Sequence, residues 1–158
     1  MGGSTMNENL QDRHAAKSIC FGCGPANEKG LRIKSRPDGE AVVAEWRAEP
    51  HHLAFEGSIN GGILGTLLDC HSNWAAAHHL MKQGDLDHPP CTVTAEFHIK
   101  FFRPTPAAEP VCLRSRLVEI STDRARIETT IESGGRVTAE GGGLFVAVRE
   151  GHPAYHRW

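Results

Sequence analysis

Asp69 is an acid set in an apolar run, and eight positions before it the glycine pair Gly61–Gly62 opens the same run. Ile63, Leu64, Leu67, Leu68, Trp74 and Ala75 recur at intervals of three, four and seven, the period of a helix with an apolar face. At a helix start the first backbone N–H groups have no intrahelical acceptor, and the helix dipole adds partial positive charge. A glycine there lets a ligand approach those donors closely. A carboxylate can act as base or nucleophile and bare amides can hold an oxyanion, so these are the parts of an acyl-transfer site. The competing reading makes Asp69 an ordinary exposed acid on the polar side of the helix. Its neighbours Leu67, Leu68, Cys70 and Trp74 favour burial, and a buried acid is a functional candidate.

Other reactive side chains form less complete patterns. Cys20-Phe-Gly-Cys23 has the spacing of half a zinc site, but no second Cys-x-x-Cys or suitably spaced histidine pair follows it. His14, His51 or His52 would have to fold back to complete it. The pair is therefore expected to form a structural turn with glycines at 22 and 24, and no metal site is expected. Cys70, Cys91 and Cys112 stand alone and read as reduced core residues. His71 lies nearly opposite Asp69 on a helix, which argues against a direct His–Asp dyad. His78 and His79 fall near the helix end. Asn73, four residues after Asp69, shares its face and is placed to orient the carboxylate or a water. Arg103, at a strand end, is a candidate for a phosphate, against the plainer reading of a solvated cation. There is no Gly-x-Ser-x-Gly elbow, phosphate-binding loop or dinucleotide fingerprint.

The elements that must position these groups follow from pattern. A chain of 158 residues can bury roughly 70% of its unfolded surface and hold one core without staples. Net charge is -2, which gives no footing for nucleic acid, and no run of 18 apolar residues suggests a membrane span. The polar N-terminus lacks the apolar core of a signal peptide, so a cytoplasmic location is expected. Residues 1–18 are read as a flexible arm, 19–150 as the folded domain and 151–158 as a tail. Strands are expected at 31–35 and 41–46 around the turn Pro37-Asp-Gly39, then a loop at 50–57 and a helix from Gly61 to about Gln83. Strands follow at 92–102, 110–120, 124–132 and 136–148, with Gly141–Gly143 suggesting a bulge or bend. One long helix followed by consecutive antiparallel strands is an α+β domain with the helix against one sheet.

Several local motifs then carry a resemblance. Cys20-Phe-Gly-Cys-Gly-Pro-Ala-Asn27 with Gly30-Leu31, His52 with Gly57 and Asn60-Gly61-Gly62, Leu67-Leu-Asp69, and Thr92-Val-Thr-Ala-Glu-Phe97 with Phe102-Arg-Pro104 occur in order. Together they resemble the hot-dog-fold acyl-CoA thioesterases, in particular the phenylacetate-degradation type, over roughly residues 20–148. The resemblance implies an antiparallel sheet wrapped around one long central helix, and hydrolysis of a CoA thioester. By position it makes Asp69 the nucleophile or general base and the Gly61 amide the oxyanion donor, with Gly62, His52, Asn73 and Arg103 toward the substrate. Asn60 stands where the family usually has histidine; its carboxamide can donate the same hydrogen bond but cannot titrate near neutral pH. No cofactor is implied, CoA being part of the substrate. Gly61 and Asp69 lie about 12 Å apart along a helix, too far for one carbonyl to meet both. A site using both therefore needs two chains, which matches the family's dimers and, beyond them, homotetramers. The alternatives are a hot-dog protein that binds acyl-CoA without hydrolysing it and a structural or regulatory dimer. A dehydratase of the same fold is disfavoured because Asn60 removes the obvious catalytic histidine.

Overall fold

The computed structural model describes residues 8–158. It contains a short helix α1 (Leu10–His14), strands β1 (Ser35–Asp38) and β2 (Ala41–Trp46), and a small hairpin of β3 (Leu53–Phe55) and β4 (Ser58–Ile59). The long helix α2 (Gly61–Gln83) follows, and then β5 (Thr92–Phe101), β6 (Val111–Ile120), β7 (Arg124–Ser133) and β8 (Arg136–Ala147). Six strands form one sheet in the order β1-β2-β6-β7-β8-β5, each neighbour antiparallel. Helix α2 lies against β5, β6, β7 and β8. This is the expected α+β hot-dog architecture, a sheet wrapped around one central helix.

Helix α2 is buried on nearly every side. Between Leu64 and Leu80 only Thr66 and Asp69 are not buried. Leu67, Leu68, Trp74, Ala75 and Ala76 meet Val42, Leu113, Ile127, Ile131 and Phe145 from the sheet in one core. Asn60 caps the helix start, its Oδ1 accepting the Ile63 N–H at 3.1 Å, the arrangement for which Asn is preferred. Gly84 caps the other end.

Five details differ from expectation. The segment 50–57, expected as a loop, holds the 3-10 turn Pro50–His52 and β3, which pairs with β4. The first strand is Ser35–Asp38 rather than 31–35, and Arg32, with φ of 53°, breaks any extended run through the earlier segment. Pro37 is tolerated in that strand because β1 is an edge. The Gly141–Gly143 run carries no break in pairing of its own. A Cβ at Gly141 or Gly142 would come 2.0 or 2.1 Å from the carbonyl oxygens of His98 and Ile127, so these glycines permit close strand approach. The register shifts lie elsewhere, between Thr94 and Glu96 on β5, between Leu117 and Glu119 on β6 and between Ile131 and Glu132 on β7.

The other two differences concern the ends. Within the expected arm, Leu10, Gln11 and Ala15 are buried. Gln11 Oε1 accepts the Ser35 N–H at 2.7 Å and Gln11 Nε2 donates to Ser35 Oγ at 2.9 Å. His71 Nε2 donates to the Val42 carbonyl at 2.9 Å. That leaves Nδ1 to accept from the Ser35 hydroxyl at 2.7 Å. This buried network ties α1, β1, β2 and α2 together, so the packed body begins before residue 19; residues 1–7 of that arm lie outside the described residues. In the C-terminal tail, Trp158 stacks on Trp74 with ring centroids 4.3 Å apart, and Arg157 donates to the Thr92 carbonyl.

Candidate active site

Asp69 sits midway along α2 and is half-buried. Thr94 on β5 donates its hydroxyl to Asp69 Oδ1 at 2.6 Å, a short charge-assisted bond. Burial pushes the Asp69 carboxyl above its ordinary range, and the Thr94 bond and the nearby Arg157 oppose this. Desolvation dominates, as for an acid placed to act as base or nucleophile.

Thr94 is the site residue that sequence reasoning missed, and the reason is the irregularity in β5. Simple alternation puts Thr94 on the face away from Phe97, Ile99 and Phe101. The register shift between Thr94 and Glu96 reverses the phase, so that Thr94 reaches Asp69 while Phe97 and Phe101 still flank the helix at Gly65 and Gly61. Bulges near active sites commonly re-aim one side chain in this way.

Asn60, Gly61 and Gly62 are exposed at the helix start. Gly61 opens the first turn, where N–H groups lack intrahelical carbonyls. It lies in an apolar cavity of about 360 Å³ whose walls include Phe55, Ile59, Phe101, Phe102 and Arg103. The structure thus brings Gly61 and Arg103 to one cavity, while Asp69 and Thr94 meet farther along the same helix, eight residues and about 12 Å from Gly61 at 1.5 Å per residue.

Three sequence candidates hold other positions. Asn73 is buried and directs Nδ2 to the Thr92 carbonyl at 3.4 Å, so the carboxylate is held by Thr94 and the expected Asn73 contact is not what orients it. His52 is also buried. Its Nδ1 accepts the Glu49 N–H at 2.9 Å, its ring packs 5.0 Å from that of Trp46, and its carbonyl accepts the Asn60 N–H at 2.9 Å. His52 therefore seats the turn that starts α2. Cys70, expected as an isolated core thiol, has its sulfur 3.7 Å from that of Cys20.

Comparison with known proteins places the family and the fold. Residues 56–140 match the family model for the Thioesterase superfamily; the chain belongs to that superfamily. Among solved structures, a thioesterase superfamily protein from Shewanella loihica is 25% identical with a TM-score of 0.64, over 79% of this chain and 98% of that one. The fold is shared with a mutant of the phenylacetic acid degradation protein PaaI from Thermus thermophilus, at 24% identity and a TM-score of 0.60, covering 75% of this chain and 95% of that one. It is shared too with the Escherichia coli PaaI protein, at 19% identity and a TM-score of 0.62, covering 75% and 81%. No curated protein matches the sequence. Among the described residues, no helix is long and apolar enough to cross a membrane.

Proposed function

We propose that the protein is an acyl-CoA thioesterase, acting in the cytoplasm as a homodimer that pairs further into a homotetramer. The observation that carries the reading is the half-buried Asp69 held by Thr94 on the central helix of a thioesterase-superfamily fold. In the general-base form, Asp69 takes a proton from water as the oxygen adds to the thioester carbonyl carbon. The negative charge that develops on the carbonyl oxygen is held by the Gly61 N–H. The C–S bond then breaks, and the CoA thiolate takes up the proton. In the nucleophilic form, an Asp69 oxygen attacks the carbonyl carbon and the C–S bond breaks to release the CoA thiolate; water then hydrolyses the mixed anhydride to the free acid and the Asp69 carboxylate, its proton going to the thiolate. The cavity beside Gly61, with its phenylalanines and Arg103, suits an acyl chain next to an anionic carrier.

Reach and surface both favour assembly of two chains. One thioester carbonyl must lie within roughly 3 Å of both groups, and about 12 Å of helix separates them, so Asp69 and the Gly61 amide are taken to come from different chains. β5 ends the sheet, and Phe97 and Phe101 on it are 45% and 49% exposed. An unpaired edge carrying exposed aromatic rings is a surface a second chain would cover.

The test is a panel of acyl-CoAs of varied length and aromatic character with a free-thiol readout, run beside a CoA-binding titration. Release of CoA from at least one class, lost in Asp69→Asn, supports hydrolysis. Tight binding without turnover across the panel points instead to an acyl-CoA-binding protein, the reading that Asn60 in place of histidine motivates.

A further inference from the structure

The Cys20-Phe-Gly-Cys23 turn does not stand alone in space. Cys70, on α2 and fifty positions later in the chain, brings a third sulfur to it, and the three Sγ atoms lie within 4.8 Å of one another. Four sulfurs or nitrogens around zinc at about 2.3 Å place neighbouring thiolates about 3.8 Å apart. The Cys20–Cys70 separation of 3.7 Å is that edge.

The surroundings are shaped to permit this approach. A Cβ at Gly22 would come 2.3 Å from Cys70 Sγ and 2.8 Å from Thr66 Cγ2. A Cβ at Gly24 would come 2.4 Å from both the Cys20 nitrogen and the Ser18 carbonyl oxygen. Both glycines are thus required by how tightly the turn folds and how closely it sits on the helix. Backbone bonds lock the turn in place: Gly24 N–H to the Cys20 carbonyl at 2.8 Å, Leu31 N–H to Phe21 at 2.8 Å and Ile33 N–H to Gly22 at 3.1 Å. Cys23 and Cys70 are buried, while Cys20 is only half-buried.

We infer that Cys20, Cys23 and Cys70 form a zinc site of three thiolates with a fourth position open toward solvent on the Cys20 side. Soft thiolate ligands in tetrahedral spacing select zinc over the oxygen-seeking cations. The ion clamps the 20–33 segment onto α2 one residue from Asp69, and its role is to hold that wall of the site in place. Each bound thiolate releases its proton as the metal enters, so uptake is accompanied by proton release and weakens as pH falls.

The experiment uses the full chain, reduced and then loaded with zinc or cobalt. Elemental analysis after removal of excess metal should give about one zinc per chain, and cobalt should produce a thiolate-to-cobalt charge-transfer band with the visible bands of a tetrahedral ion. Zinc should shield Cys20, Cys23 and Cys70 from iodoacetamide, read residue by residue by mass spectrometry, while Cys91 and Cys112 alkylate at their metal-free rates. Cys70→Ala should lower metal affinity at least a hundredfold, and Cys112→Ala should leave it unchanged. Should Cys70→Ala fail to fold, cobalt spectra and alkylation shielding of the wild-type chain decide. The inference is overturned if the reduced wild-type chain retains no zinc, if cobalt binds without the thiolate band, or if Cys20 oxidises to a disulfide with Cys23 or Cys70 equally fast with and without zinc.

Discussion

At the scale of single residues, Asp69 and Thr94 make opposite contributions to one carboxylate. Burial raises its proton affinity and the Thr94 hydroxyl opposes that rise. Asp69→Asn keeps the shape and removes the base or nucleophile, so hydrolysis should fall by ~10²–10⁴ or more, with the oligomeric state unchanged on gel filtration. A variant with wild-type turnover would remove Asp69 from the mechanism. Thr94→Val removes a charge-assisted bond worth about 1.5–3 kcal/mol, of which only the part realised in the transition state reaches the rate. A fall of about tenfold in kcat, with KM little changed and recovery in Thr94→Ser, is expected. If Thr94→Val instead raises KM alone, Thr94 shapes substrate binding and does not position the acid.

At the scale of elements, the start of α2 combines two duties in Asn60. Its Oδ1 caps the helix, and the proposed mechanism gives its carboxamide N–H a second duty as a donor to the substrate. Asn60→Ala removes both and should cost about 1 kcal/mol of stability, a drop of about 2–4 °C in Tm. Asn60→Asp keeps a cap and removes the donor; a normal Tm with a reduced rate would assign the carboxamide to substrate, whereas a normal rate would leave capping as its whole role. The far end of α2 holds a different device. His78 is buried beside His79, with Lys82 and His14 near it, and burial followed by these cations holds it down to about 4. An unfolded histidine takes up its proton near pH ~6.5, so the contribution of His78 to stability is present above that pH and is lost as pH falls from there toward about 4. The full loss is on the order of 3 kcal/mol. Urea unfolding at several pH values should show this decline, and His78→Gln should flatten part of it; an unchanged slope would mean that other groups govern acid stability.

At the scale of the whole molecule, the proposed mechanism puts an oxyanion donor and an acid on one helix about 12 Å apart, too far to meet the same carbonyl, and this makes a specific demand on assembly. Asp69→Ala and Gly61→Pro homodimers should each be inactive, since every site lacks one partner. Proline is tolerated at the first helical position and removes the amide hydrogen without removing the helix start. In a mixture allowed to exchange subunits, heterodimers carry both lesions in one site and neither in the other. With about half the dimers mixed and one of two sites intact in each, about a quarter of wild-type activity should return; the need for two chains follows from the ~12 Å helical separation. No recovery despite demonstrated exchange would mean that one chain supplies the entire site.

Local information was sufficient for the central helix and for Asp69. Helical period, cap and stop signals act within a few residues, and one carboxylate in an apolar run is conspicuous without any knowledge of its partners. The strands β5 to β8 were legible for the same reason, to within a residue or two at their ends. What depended on pairing and docking was not. Thr94 reaches the acid because a register shift reverses the phase of β5, and a shift arises between strands, not within one. Likewise the Gly141–Gly143 run looked like a bend and proved to be a place where neighbouring carbonyls come too close for a Cβ. The resemblance places His52 toward the substrate; its Nδ1 accepts the Glu49 N–H three residues earlier, a capping bond that the sequence pattern did not announce. The Cys20-x-x-Cys23 pair looked incomplete because its third sulfur is fifty positions away, and the burial of Gln11 against Ser35 and His71 likewise joins distant segments. The central helix, the four strands after it and the position of one acid in an apolar run were legible without tertiary information, since these follow from short-range periodicity and composition. Only the tertiary structure decided which hydroxyl holds that acid and which thiols meet, because both depend on how an irregular strand and an N-terminal turn pack against one buried helix.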